Sequence, residues 1–101
     1  MKKVFFCNTD DLSKTGKVTK YFDEIRDELI LFEDQNKNLK CFSSVCPHLA
    51  GEIIYENCKL SCKWHGLEYD EKGNSLNGKV KLKLNEYNVE TLNNEIYVYE
   101  K

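Results

Sequence analysis

Apolar and polar residues alternate along several short segments of this chain, the period-2 signal of strands with one buried face. Lys3 to Cys7, Lys17 to Phe22, Glu28 to Phe32 and Leu39 to Ser43 carry it in the first half, separated by polar or Gly-containing turns. The signal returns at Leu67 to Asp70, Val80 to Leu84, Tyr87 to Val89 and Ile96 to Tyr99. Asn93-Asn94 joins the last two as a tight hairpin turn, because Asn tolerates positive φ. The pattern predicts a series of short strands and an all-β fold, an antiparallel β-sandwich or barrel-like domain. No segment of about ten or more residues holds a convincing helical stripe. DEIRDELILF comes closest, and its charges read equally well as a bend joining two strands. There is no internal repeat, linker or low-complexity tract.

The length of 101 residues fits a single domain spanning 1–101, with no room for a second core. Apolar residues make up 41% and charged residues 32%, the balance of a folded soluble protein. Fifteen basic residues against seventeen acidic ones give a formal charge of −2, and no stretch concentrates Lys and Arg among aromatics. A nucleic-acid partner is therefore not expected. In GKVKLKL, Lys79, Lys81 and Lys83 alternate with apolar residues and read as a solvated strand face.

MKKVFFC begins like a lipoprotein signal, but Asn8-Thr9-Asp10-Asp11 interrupt it well short of the roughly 7–15 apolar residues an export signal needs. The longest apolar run elsewhere, Leu29 to Phe32, is far from a bilayer span. The expectation is a cytoplasmic protein with no membrane contact. In that reducing compartment an odd set of five cysteines does not form a disulfide framework, which leaves metal ligation as the leading use for some of them.

The segment CPHLAGEIIYENCKLSCKWHG, residues 46–66, holds both histidines and three of the five cysteines. Two pairs stand out, Cys46-x-His48 and Cys62-x-x-His65, with thirteen intervening residues that look like a hairpin. Pro47 holds Cys46 away from helix, and Gly66 permits close backbone approach, as a tight metal loop requires. Thiolate and imidazole donors in two facing loops suit either a structural zinc or an iron–sulfur centre. The single residue between Cys46 and His48 is tighter than usual zinc-finger spacings. Cys58, four residues before Cys62, is a minor alternative zinc ligand; Cys7 and Cys41 read as small buried thiols.

CPH followed by CKWHG and then LEYD resembles the Rieske iron–sulfur domain family, whose signature is Cys-x-His…Cys-x-x-His-Gly. The likeness extends over Lys3 to Tyr99 and implies a β-scaffold with a cluster-binding tip formed by two loops. It also implies a [2Fe-2S] cluster, with Cys46 and Cys62 on one iron and His48 and His65 on the other. Two ferric ions, two sulfides and two thiolates sum to zero charge, whereas four thiolates leave a dianion. Such mixed centres accept an electron at about −150 to +300 mV, against about −400 mV for the all-Cys plant type.

High-potential members of the family carry a disulfide between the loops, where this chain has Gly51 and Trp64. They carry a Ser hydroxyl where it has Leu67, but Tyr69 stands at their tyrosine donor position. One retained donor of two implies a low-to-intermediate potential. The first loop is shortened within LAGEII, and the lid segment NSLNGKVK lacks proline. The resemblance implies a non-catalytic ferredoxin that passes single electrons from a reductase to a terminal oxygenase or similar redox protein. Docking is expected at the His48/His65 tip, flanked by Trp64 and Leu49. The alternatives are a small subunit like that of assimilatory nitrite reductase and, less favoured, the zinc module. An oxygenase iron needs two His and a carboxylate, and no His remains once a cluster takes both.

Overall fold

The computed structural model describes residues 3–45, 52–62, 67–76 and 83–101. Its elements are β1 (Val4–Asn8), α1 (Thr9–Thr15), β2 (Lys17–Phe22), β3 (Asp27–Glu33), β4 (Leu39–Ser43), β5 (Ile53–Glu56), β6 (Lys59–Cys62), β7 (Glu68–Tyr69), β8 (Glu86–Leu92) and β9 (Glu95–Glu100). Six strands form an antiparallel sheet in the order β1-β9-β8-β4-β3-β2, and β5-β6-β7 form a second, three-stranded sheet. The all-β expectation holds. Of the strand expected at Val80 to Leu84, residues 80–82 lie outside the described residues; Lys83 bridges Asn74, and Leu84 is buried.

The run Leu29-Ile30-Leu31-Phe32 explains how the two sheets stack. Successive side chains of a strand point to opposite faces. Leu29 and Leu31 enter one core cluster with Phe6, Phe22, Cys41, Ile96 and Val98, while Ile30 and Phe32 enter a second with Phe42, Ile53, Leu60 and Tyr69. The middle of the large sheet is thus buried on both faces, and its sequence reads as continuously apolar rather than alternating.

On the first face the large sheet curls until its edge strands meet. Phe6 of β1 and Phe22 of β2 have ring centroids 5.0 Å apart, and Lys20 Nζ donates to the Phe6 carbonyl at 3.0 Å. On the second face lies the small sheet, with Tyr55 stacked on Phe32 at 4.0 Å between centroids.

The period-2 reading passes over α1. Its signals are local: Asn8 is extended at the N-cap, its N–H reaches Asp11 Oδ2 at 3.4 Å, and Gly16 closes the helix in the left-handed region at φ 78°. The Gly16 N–H donates to the Leu12 carbonyl at 2.7 Å, and Leu12 is buried. Seven residues with one buried apolar side chain give no helical stripe to find. DEIRDELILF resolves into a turn followed by β3.

Candidate metal centre

Both motif segments spring from the same end of the small sheet. Val45 and Glu52 form an antiparallel bridge at the base of segment 46–51, and the Ile53 N–H donates to the Ser44 carbonyl at 2.7 Å. The Cys62 N–H donates to the Leu67 carbonyl at 2.8 Å, closing the base of segment 63–66. In the β5–β6 register Ile53 lies directly opposite Cys62, so the exit of the first segment adjoins the entry of the second. Antiparallel pairing of this hairpin therefore brings the two halves of the motif together despite the residues between them.

Of the four expected ligands, Cys62 is described; Cys46, His48 and His65 lie outside the described residues, as do Pro47, Leu49, Gly51, Trp64 and Gly66. Cys62 is the last residue of β6 and only 2% exposed. Its side chain shares the inward face with Leu60 and Ile53, beside the fully buried Tyr69 and the half-buried Leu67. A thiol at a strand end, shielded by apolar neighbours, fits a ligand of a [2Fe-2S] cluster.

Cys58 occupies the β5–β6 turn with Asn57, both at positive φ, and is exposed. It sits at the opposite end of β6 from Cys62, about 13 Å away at the usual strand rise. That distance removes it from any shared metal site with Cys62. Cys7 and Cys41 are buried, as expected of core thiols.

Sequence reasoning missed a set of polar residues at the base of the first segment. Ser43 and Ser44 are the buried polar residues among the described ones. Ser43 Oγ donates to Asp27 Oδ1 at 2.9 Å and accepts from the Val45 N–H at 3.3 Å. Tyr87 Oη donates to Asp27 Oδ2 at 2.9 Å, and Asn85 Nδ2 lies 3.5 Å from that hydroxyl. Ser44 Oγ donates to Glu28 Oε1 at 2.8 Å. Burial, together with the bond to Asp27, pushes the Tyr87 phenol well above the ordinary tyrosine value, so it stays a donor across the physiological range. The available sequence signal is two serines at core positions immediately before Val45-Cys46.

The Rieske [2Fe-2S] domain family matches residues 2–99, and the chain belongs to that family. The [2Fe-2S] cluster is its cofactor. Similar solved structures include the plasma-membrane Rieske protein PetC3 of Synechocystis PCC 6803, 20% identical with a TM-score of 0.82, over 95% of this chain and 98% of that one. The ferredoxin of carbazole 1,9a-dioxygenase from Nocardioides aromaticivorans IC177 is 21% identical with a TM-score of 0.75, over the full length of both chains. The quaternary ammonium Rieske monooxygenase CntA is 14% identical with a TM-score of 0.80, over 99% of this chain but 32% of that one. At these identities the likeness is one of fold. No curated protein gives a significant sequence match. No helix among the described residues is long and apolar enough to cross a membrane.

Proposed function

We propose that this chain is a ferredoxin-type one-electron carrier, in which Cys46 and Cys62 hold one iron and His48 and His65 the other. The observation that carries the reading is the pairing of Ile53 with Cys62 while Val45 bridges Glu52, which sets the bases of both motif segments side by side. When bound, the cluster supplies a site for one electron. The residues of the chain hold and shield it: Cys62 from a buried strand end, Tyr69 and Leu67 from the wall beside it.

The carrier takes its electron from a reductase and delivers it to a terminal oxygenase or similar redox protein, docking at the His48/His65 tip. The full-length match to a chain named as the ferredoxin of a dioxygenase supports this choice. Within these 101 residues the two histidines are both committed, which leaves no imidazole for general-base or second-metal chemistry and favours a non-catalytic carrier.

The test replaces a neutral ligand with an anionic one. His48→Cys or His65→Cys, in protein that retains iron and sulfide, lowers the midpoint potential by on the order of 100 mV or more, toward the all-thiolate range. An unchanged midpoint in a variant shown to keep its cluster contradicts the ligand assignment.

A further inference from the structure

Three chain segments meet at the Asp27 carboxylate. Ser43, two residues before Val45 closes the first motif segment, donates to Oδ1, and Tyr87, near the start of β8, donates to Oδ2. The Val45 N–H ends on Ser43 Oγ, so the amide next to Cys46 is fixed through one hydroxyl to a carboxylate on β3. The Ser43 N–H donates to the Asn85 carbonyl at 2.8 Å, and Asn85 Nδ2 reaches the Tyr87 hydroxyl. One carboxylate thereby ties the entry of segment 46–51 to the chain leaving segment 77–82. A half-buried carboxylate accepting two side-chain donors is stronger and more directional than a neutral pair.

We propose that Asp27 is a positioning residue for the metal centre, acting through Ser43 on the Val45 amide and through Tyr87 on the start of β8. The inference rests on the reading of Cys46 as a ligand. The hydroxyl that accepts the Val45 N–H is itself held by Asp27, so the carboxylate reaches the residue adjacent to the first motif cysteine. Neighbouring Glu28 makes a parallel connection, since its carbonyl accepts the Ser44 N–H at 2.7 Å and its carboxylate the Ser44 hydroxyl. The Ser44 carbonyl in turn accepts the Ile53 N–H, so Asp27 and Glu28 between them fix the entry and exit of the same segment.

The test compares full-length wild type, Ser43→Ala, Ser43→Thr and Asp27→Asn by amide exchange and by paramagnetic resonance of the reduced, cluster-loaded protein. In Ser43→Ala the Val45 amide exchanges about five- to tenfold faster, the expected loss for one hydrogen bond, while Leu31 and Val98 keep their protection. The resonance lines move in Ser43→Ala and Asp27→Asn and return in Ser43→Thr, which restores the hydroxyl. Cluster loss in Ser43→Ala that Ser43→Thr reverses supports the same conclusion. Unchanged Val45 exchange, a loss of protection shared equally by Leu31 and Val98, or lines and cluster content that Ser43→Thr fails to restore would overturn it. If wild type itself assembles no cluster, the proposed function fails, and Val45 exchange in the cluster-free chains still decides the role of Asp27.

Discussion

Cys41 is fully buried, and burial, aided by the charges of Asp27 and Glu86, pushes its thiol far above the ordinary cysteine value. Burial and the Asp11 charge push Cys7 the same way, against the opposing pull of Lys20. The thiolate is the reactive form, so both are inert. Cys58 alone among these three is exposed, in its turn at φ 61°. A thiol reagent applied to native, cluster-loaded protein near neutral pH is predicted to modify Cys58 first, and Cys58→Ser to abolish that fast phase; persistence of the phase would contradict the burial pattern. Gly73 makes a second prediction at this scale. It stands at φ 85°, and a Cβ there would meet Phe42 Cε1 at 2.6 Å. Because the Phe42 ring is fully buried and cannot swing clear, Gly73→Ala is expected to cost about 2 kcal/mol, read as a lower urea midpoint at unchanged slope.

Gly73 belongs to one of two matching turns, Asp34 to Asn38 and Asp70 to Asn74. In each, the Asp Oδ1 accepts two backbone N–H groups at 2.9 Å, the Asp N–H donates to the Asn carbonyl at 2.9 Å, and the fourth residue has positive φ. Gln35 Nε2 of the first turn donates to Glu71 Oε1 of the second at 3.1 Å, and the Tyr55 hydroxyl donates to the same carboxylate. This clasp joins the two sheets at the end away from the metal centre. Burial and the Glu71 bond raise the Tyr55 phenol above its ordinary value of 10, and Tyr87 is raised likewise. The folded state then holds these protons more tightly than the unfolded chain. Their stabilisation is fully present below the unfolded value and is lost as pH rises beyond it. Urea unfolding between about pH 9 and pH 11 is predicted to show a fall in stability that is shallower in Tyr55→Phe and Tyr87→Phe. Equal slopes in all three proteins would refute the shifts.

At this element scale the strands and the Asn93-Asn94 turn, with φ of 50° and 66°, are legible because alternation and turn chemistry are local signals. The seven-residue α1 escapes because its evidence is a cap at each end rather than a stripe. The twin turns escape a search for repeats because their likeness lies in an Asp, an Asn and a backbone sign, not in sequence similarity. The Ser43–Asp27–Tyr87 network escapes because its members are sixteen and sixty residues apart and meet only through sheet order.

At the scale of the whole molecule, one sheet order serves both the core and the site. The antiparallel ladder β3-β4 carries Ser43 to Asp27, the hairpin β5-β6 carries Ile53 to Cys62, and β8 returns beside β4 through the Cys41–Tyr87 pair. The pairs Cys46-x-His48 and Cys62-x-x-His65 were legible as a metal constellation from residue type and spacing, and the hairpin between them supplies the geometry that joins their bases. Family membership over residues 2–99 gives the chain a [2Fe-2S] cluster, and the proposed function seats it on that constellation.

The most direct test of mixed thiolate and imidazole ligation is electron spin-echo spectroscopy of the reduced protein, which detects nitrogen bonded to the paramagnetic cluster. The account predicts two directly coordinated imidazole nitrogens, reduced to one in His48→Cys and likewise in His65→Cys. A reduced cluster with no coordinated nitrogen, or with signals unchanged in both variants, would contradict it.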